Sequence, residues 1–309
     1  MSVPQRVDAE GQPWRLLFTH AHPDDESSKG AATMAKYVAE GCQVMVVTMT
    51  GGERGDILNP ALNTPANRAR LPELRRQEME RARAILGVEQ TWLGYEDSGF
   101  FQGEPWPPTP PGTLAATPVD EAAARLVPIL RQFRPHVIVT YDERGGYPHP
   151  DHIMCHRVTM AALAPTADQA VQPEAGPAWT VPKVYYYMGF HRARFAKLDA
   201  MMHEAGLTSP YAERLRQWQA PDIVDRLTTF VPCAEYFPIR DEALRAHATQ
   251  IDPAGHWFAV PLAIEQKGWP TEDYELVSTT VETTIPEDDL LDGLATDAPA
   301  LDSTDNWQI

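Results

Sequence analysis

The α/β character of this chain is written in one stretch: Leu16-Leu17-Phe18-Thr19-His20-Ala21-His22-Pro23-Asp24-Asp25-Glu26. It opens as a short apolar run, the pattern of a parallel strand buried on both faces. It closes on two histidines, a proline and three carboxylates within seven positions. Ser27-Ser28 follow as N-cap candidates, and Lys29 to Glu40 reads as a helix. A strand that stops at a charged loop and hands over to a helix is where open α/β sheets place ligand sites. Carboxylates at a buried strand end are costly without counter-charge, and a divalent metal is the simplest one to supply.

The same grammar recurs downstream. Gln43 to Met49 reads as a second buried strand, ending in Thr50-Gly51-Gly52-Glu53-Arg54-Gly55-Asp56. No Gly-x-Gly-x-x-Gly fingerprint follows either strand, which argues against a nucleotide-dependent dehydrogenase, and no Gly-Lys-Ser/Thr phosphate loop is present. Asn67 to Leu86 carries a helical apolar stripe closed by Gly87, with Arg75 and Arg76 as candidate polyol or anion contacts. Gln90 to Gly94 is a short strand before Tyr95-Glu96-Asp97-Ser98-Gly99, and Phe101 to Pro118 is a proline-rich loop containing Trp106. After a helix over Val119 to Phe133, the strand His136 to Thr140 runs into Tyr141 to His152, and a helix spans Ile153 to Leu163. Four strands alternating with helices predict a mostly parallel sheet flanked by helices, with the charged strand ends gathered on one edge.

Residues 1–188 form the expected catalytic core. Beyond the strand Val181 to Met188 the pattern changes: helices at Arg192 to Ala205, Pro210 to Gln219 and Asp241 to Ile251, and strands at Leu227 to Val231 and Tyr274 to Val281. Residues 189–285 are expected to form a smaller α+β cap that binds substrate, and 286–309 an acidic, flexible tail.

The net charge of −17 over 309 residues argues against nucleic acid or an anionic membrane as partner. No apolar run of spanning length occurs and the first residues lack an apolar signal core, so a cytoplasmic protein is expected. Three widely spaced cysteines, Cys42, Cys155 and Cys233, fit free thiols in a reducing compartment. Cys155 lies close enough in sequence to a candidate ligand to be a minor candidate itself. The sequence leaves the oligomeric state open.

His22 and Asp25 in His-Pro-Asp-Asp, with His152 in His-Pro-Asp-His, make a three-ligand set for Zn²⁺ with a fourth position open, the mark of a catalytic site. An N₂O set also accepts iron(II). Asp24 stands beside a ligand and can take a proton from water. His149 can donate a proton to a leaving amine, Asp151 can hold His149 cationic, and Tyr147 can donate to a developing oxyanion. His20 and His136 read as packing residues, and His247 as a cap histidine able to reach the site.

These motifs resemble a known family. Ala21-His22-Pro23-Asp24-Asp25-Glu26 with Tyr147-Pro148-His149-Pro150-Asp151-His152 is similar to the LmbE-like (PIG-L) zinc-dependent N-deacetylases, which carry a Rossmann-like sheet. Lys29-Gly30, Thr50 to Pro60, His247 to Pro253 and Trp269-Pro270-Thr271-Glu272 look like the branch that acts on mycothiol S-conjugates, over most of the chain. The resemblance implies one zinc ion per chain on His22, Asp25 and His152, Asp24 as general base, His149 as general acid and Tyr147 as carbonyl partner. It also implies that Arg75 and Asp97 contact the sugar–inositol part, and it associates Lys29 with the amidase branch. The implied reaction hydrolyses the amide of a thiol-glycoside conjugate to a mercapturic acid and glucosaminyl-inositol.

The chain departs from the family in two places. Tyr187-Met188 stand where Asn-Gln is usual, and Phe100-Phe101 and Trp106 enrich a loop in aromatics. If Tyr187 lines the pocket, a bulky or aromatic S-substituent is favoured. Three other functions stay open: a paralogue dedicated to an antibiotic pathway, an N-deacetylase of the mycothiol precursor, and a non-catalytic sugar-binding protein.

Overall fold

The computed structural model describes residues 6–8, 10–101, 107–219 and 221–294. Trp106 and the acidic positions beyond 294 therefore lie outside the described residues. Strand β1 (Arg15–His20) sits mid-sheet, with β2 (Gln43–Thr50) on one side and β4 (Val137–Thr140) on the other, both parallel to it. β3 (Glu89–Tyr95) extends the sheet beyond β2, and β5 (Lys183–Tyr187) beyond β4, again parallel.

The doubly wound expectation is visible in the alternation of side chains. Leu16 and Phe18 of β1 and Val137 and Val139 of β4 pack into one core layer, with Met34, Tyr37, Met79 and Leu86 from helices. Leu17 and Ile138 point the other way and pack with Leu126, Leu130 and Val158. Period-two alternation thus feeds two helical layers from a sheet whose central strands β1 and β4 are buried on both faces. The helices are α1 (Asp25–Ser28), α2 (Ala31–Ala39), α3 (Pro65–Ala69), α4 (Leu71–Leu86), α5 (Val119–Phe133) and α6 (Pro150–Ala167).

Several boundaries differ from expectation for local reasons. Gly30 takes a left-handed conformation and separates α1 from α2. The helix expected from Asn67 breaks at Arg70, because Pro72 opens α4 and restricts the backbone before it. α6 begins at Pro150 rather than Ile153, so Asp151 and His152 occupy its first turn.

The C-terminal half is less separate than expected. Its strands β6 (Thr229–Pro232) and β7 (Thr271–Thr279) join the same seven-stranded sheet, β7 antiparallel to β5 and β6 antiparallel to β7. Its helices are α7 (Arg192–Glu204), α8 (Ala212–Arg216), α9 (Phe237–Ala246) and α10 (Leu262–Gly268). α9 starts four residues before the expected Asp241, and α10 is a helix without a counterpart among the expected elements.

The expectation of a flexible tail over 286–309 is corrected for residues 286–294, and its remainder lies outside the described residues. Leu290, Leu291 and Leu294 belong to the core. Buried Glu287 accepts hydrogen bonds from Lys183 Nζ at 2.5 Å, Tyr185 Oη at 2.7 Å and Thr229 Oγ1 at 2.8 Å. An acidic composition misled here, because one carboxylate is matched to a buried lysine.

Candidate metal centre and active site

β1 and β4 are neighbours, but the chain leaves them in opposite directions across the sheet, which opens a crevice at their carboxyl ends. The loop after β1 supplies His22, Asp24 and Asp25. The loop after β4, with the first turn of α6, supplies Tyr147, His149, Asp151 and His152. The loops after β2 and β3 bring Gly52 and Asp97-Ser98.

Three ligand atoms converge. His22 Nδ1 is 3.5 Å and His152 Nε2 is 3.3 Å from Asp25 Oδ2. His152 Nδ1 lies 2.9 Å from the Gly145 carbonyl, to which it can donate, which leaves Nε2 buried without a hydrogen-bond partner. Gly145 is left-handed, and a Cβ there would lie 2.6 Å from His152 Cβ. His22 Nε2 faces Asp151 Oδ2 at 3.2 Å and Asp97 Oδ1 at 3.6 Å, so these carboxylates orient the ring from behind.

A second, overlapping cluster joins His22, Asp97, His149 and Asp151. Its oxygens are already spent. Asp97 accepts the backbone N–H groups of Arg54 and Gly99, and Asp151 accepts Ser98 N–H at 2.8 Å and the Ser98 hydroxyl. His22, Asp25 and His152 are therefore the set with an unspent buried donor, and their chemistry fits a divalent cation.

The electrostatics agree. Burial opposes a proton on His22, yet Asp151, Asp25 and Asp97 raise its pKa well above the ordinary value. Burial would raise Asp25, but His152, Lys29 and His22 hold its carboxyl well below the usual range. Negative charge is in excess, and a cation answers it.

Asp24 borders the cavity in an uncommon backbone conformation, φ 120° and ψ −23°. Such strain costs about 1–3 kcal/mol and persists only where the surroundings impose it. Arg75 supplies part of that restraint. Its Nη2 donates to the Pro23 carbonyl at 2.6 Å and Asp24 Oδ1 at 2.9 Å, and its Nη1 to the Gly52 carbonyl at 3.0 Å. Burial raises the Asp24 pKa against the pull of Arg75, the direction a general base needs.

The other candidate residues have definite partners, and for Asp151 they differ from the expected one. Arg75 is buried against the Pro23 and Gly52 carbonyls and Asp24, and Asp97 is buried behind His22. Asp151 does not hold His149 cationic, because its carboxylate is taken by Ser98 and His22. Only its backbone N–H reaches His149, at Nδ1. Burial instead pushes the His149 pKa down to about 2, with His22 and His152 adding to the shift. His247 is fully buried beneath the site and pairs with Glu26. Cys155 is buried in the core outside both clusters.

The remaining residues line space. A cavity of about 360 Å³ runs from Asp24, Asp25 and Tyr147 past Lys29 and Tyr187 to Phe190, Phe195, Tyr211 and Trp257. A second, of about 670 Å³, shares Lys29, Tyr147, Tyr187 and Phe190 with it. Phe100 stacks on His149 with ring centroids 5.4 Å apart, an aromatic contact the sequence suggested only as a loop enrichment.

The comparisons with known proteins point the same way. Residues 17–163 match the family model described as "PIG-L: GlcNAc-PI de-N-acetylase". A Streptomyces coelicolor "Mycothiol S-conjugate amidase" is 56% identical over 288 residues, covering 92% of this chain and 98% of the relative. This chain belongs to the PIG-L family. A second PIG-L relative, a Streptomyces scabiei "1D-myo-inositol 2-acetamido-2-deoxy-alpha-D-glucopyranoside deacetylase", is 41% identical and covers 91% of this chain and 90% of the relative. The fold matches that of the Pyrococcus horikoshii N,N'-diacetylchitobiose deacetylase with a TM-score of 0.58 at 19% identity, covering 85% of this chain and 83% of that one. Membership makes this chain a hydrolase of amide bonds. Among the described residues no helix is long and apolar enough to cross a membrane.

Proposed function

We propose that this chain is a zinc-dependent amidase that cleaves the amide of mycothiol S-conjugates, releasing an S-substituted N-acetylcysteine and glucosaminyl-inositol. The observation that carries the reading is the convergence of His22, Asp25 and His152 beside Asp24, in a chain 56% identical to a mycothiol S-conjugate amidase. Bound to those three side chains, zinc would acidify water and polarise the scissile carbonyl. Asp24 takes the proton from the attacking water. Tyr147, on the cavity wall, donates to the developing oxyanion. His149, whose Nδ1 accepts the Asp151 N–H, turns Nε2 to the departing amine and relays to it the proton that Asp24 has taken from water, so that both groups end as they began. Lys29 fixes Asp25 and lends its stem to the cavity wall.

Deacetylation of the mycothiol precursor is the second reading, supported by the 41% identical deacetylase. An acetyl group needs little room, whereas about 360 Å³ of space adjoins the centre, walled by aromatic side chains such as Tyr187, Phe190 and Trp257 together with charged ones such as Arg194, Arg240 and Glu265. That space suits an S-substituent, which favours the amidase. Its aromatic wall, Tyr187 included, supports a bulky or aromatic one, as a pathway-dedicated paralogue would require. Three buried free thiols fit action in a reducing cytoplasm.

The test is zinc content, together with turnover of a mycothiol S-conjugate and of the N-acetyl precursor. One bound zinc, amidase turnover dominant, and a loss of about a thousandfold or more in Asp24→Asn are expected. A metal-free active enzyme, or a fully active Asp24→Asn, refutes the mechanism.

A further inference from the structure

We propose that Glu26 and His247 are positioning residues for the reaction, holding the Asp24 backbone in the conformation that aims its carboxylate. The proposal rests on the reading of Asp24 as general base. Arg75 restrains Asp24 from the side-chain end. From the backbone end the restraint is Glu26, whose Oε2 accepts the Asp24 N–H at 2.9 Å. Its other oxygen, Oε1, accepts from Ser27 Oγ at 2.5 Å and faces His247 Nε2 at 2.6 Å. Glu26 and His247 are both completely buried, so neither can meet substrate.

The anchoring of His247 shows why this pairing is more than packing. His247 ends α9 and begins a turn, His247 to Gln250, that other parts of the site edge grip at once. Glu78 of α4 accepts Thr249 N–H at 2.8 Å and Thr249 Oγ1 at 2.7 Å. Leu58 N–H donates to the Thr249 carbonyl at 2.9 Å, and Asn59 Nδ2 to the Ala248 carbonyl at 2.9 Å. Gln250 Nε2 donates to the Asp56 carbonyl at 3.1 Å. The turn is thus fixed to α4, which carries Arg75, and to the loop after β2. It delivers one imidazole to Glu26, and Glu26 delivers one carboxylate oxygen to a strained peptide N–H. A chain that leaves φ near 120° at Asp24 would swing its carboxylate away from Arg75 and the centre.

The test uses the zinc-loaded enzyme. Glu26→Gln loses one acceptor oxygen, and kcat is expected to fall about 30-fold with KM within twofold. His247→Ala should do the same. His247→Gln, whose amide can still donate to Glu26, should recover most of the loss. Amide hydrogen exchange at Asp24 should quicken in Glu26→Gln and His247→Ala, with zinc and without it. In an Asp24→Asn background Glu26→Gln should cost less than twofold more, because the group it positions is gone. Full kcat in both Glu26→Gln and His247→Ala, unchanged Asp24 exchange, or losses that multiply with Asp24→Asn would overturn the proposal. If Asp24→Asn itself stays fully active, the base assignment falls and this inference with it. If Asp24→Asn is inactive while the other variants keep full kcat, this inference alone falls. Should Glu26→Gln fail to fold, the His247→Ala and His247→Gln pair carries the same decision.

Discussion

The Lys29 ammonium lies 2.6 Å from Asp25 Oδ1, one helical turn along, and leaves Oδ2 of the same carboxylate turned to the two imidazoles. The lysine fixes which oxygen faces the centre. Lys29→Ala should therefore weaken zinc binding about tenfold, measured by competition with a chromogenic chelator. Unchanged affinity would mean that Lys29 serves the cavity alone.

His149 is dry on one side because Phe100 lies flat against it. Phe100→Ala admits water, so the His149 pKa should climb from its depressed value toward the ordinary 6.5, followed by NMR titration of the metal-free protein. His149→Ala should lower kcat by about 10²–10⁴. A loss below tenfold would remove it as the proton donor.

The aromatic side chains on the cavity wall predict a preference among conjugates. An S-aryl conjugate should exceed the S-methyl one in kcat/KM by about 10². Tyr187→Asn and Trp257→Ala should each reduce that ratio about tenfold. Equal turnover of both conjugates by the parent enzyme would end the idea of an aromatic subsite.

Gly52 holds φ +67°, and a Cβ there would lie 2.1 Å from Arg75 Nη1. Gly52→Ala should displace the Arg75 clamp and lower kcat at least tenfold while zinc stays bound, because Asp24 loses its side-chain restraint. Metal analysis beside steady-state rates separates the two effects.

Asp289 predicts a pH effect far from the centre. Burial pushes its carboxyl up, but Arg6, the Tyr37 hydroxyl and the Leu291 N–H outweigh burial and hold it below the ordinary 3.8. Between the folded and unfolded values only the unfolded chain takes the proton, so stability falls as pH drops. The contribution is complete above 3.8, is eroded below it, and is gone beneath the folded value. Asp289→Asn should cost about 2 kcal/mol at neutral pH, and the gap in Tm should narrow once pH falls below 3.8. A gap constant down to the acid limit would contradict the pairing.

The strands, their parallel order and the cluster of His22, Asp25 and His152 were legible because each depends on local pattern: apolar runs, breakers and charged strand ends. The partners of those residues were not. Asp151 is adjacent in sequence to His152, two residues from His149 and 129 residues from His22, yet it serves His22, because the first turn of α6 aims successive side chains in different directions. Arg75 stood out in the sequence as a candidate polyol or anion contact, with nothing to mark its hold on Asp24. Only the tertiary approach of Gly52 and Pro23 shows it to be buried. His247 was placed within a helix because Ala246 to Gln250 reads as helical, whereas Glu78 and the 56–59 loop impose a turn there. The acidic stretch after 286 failed because composition cannot report that Lys183 awaits Glu287.

His22 and Asp151 are separated by 129 residues yet sit 3.2 Å apart, and the strands that bring them together, β1 and β4, are adjacent only in the finished sheet. A ribosome must therefore have released both halves of the grip before the ion has anywhere to dock. Cofactor loading comes after folding, and uptake of the ion becomes a stopwatch for closure of the sheet.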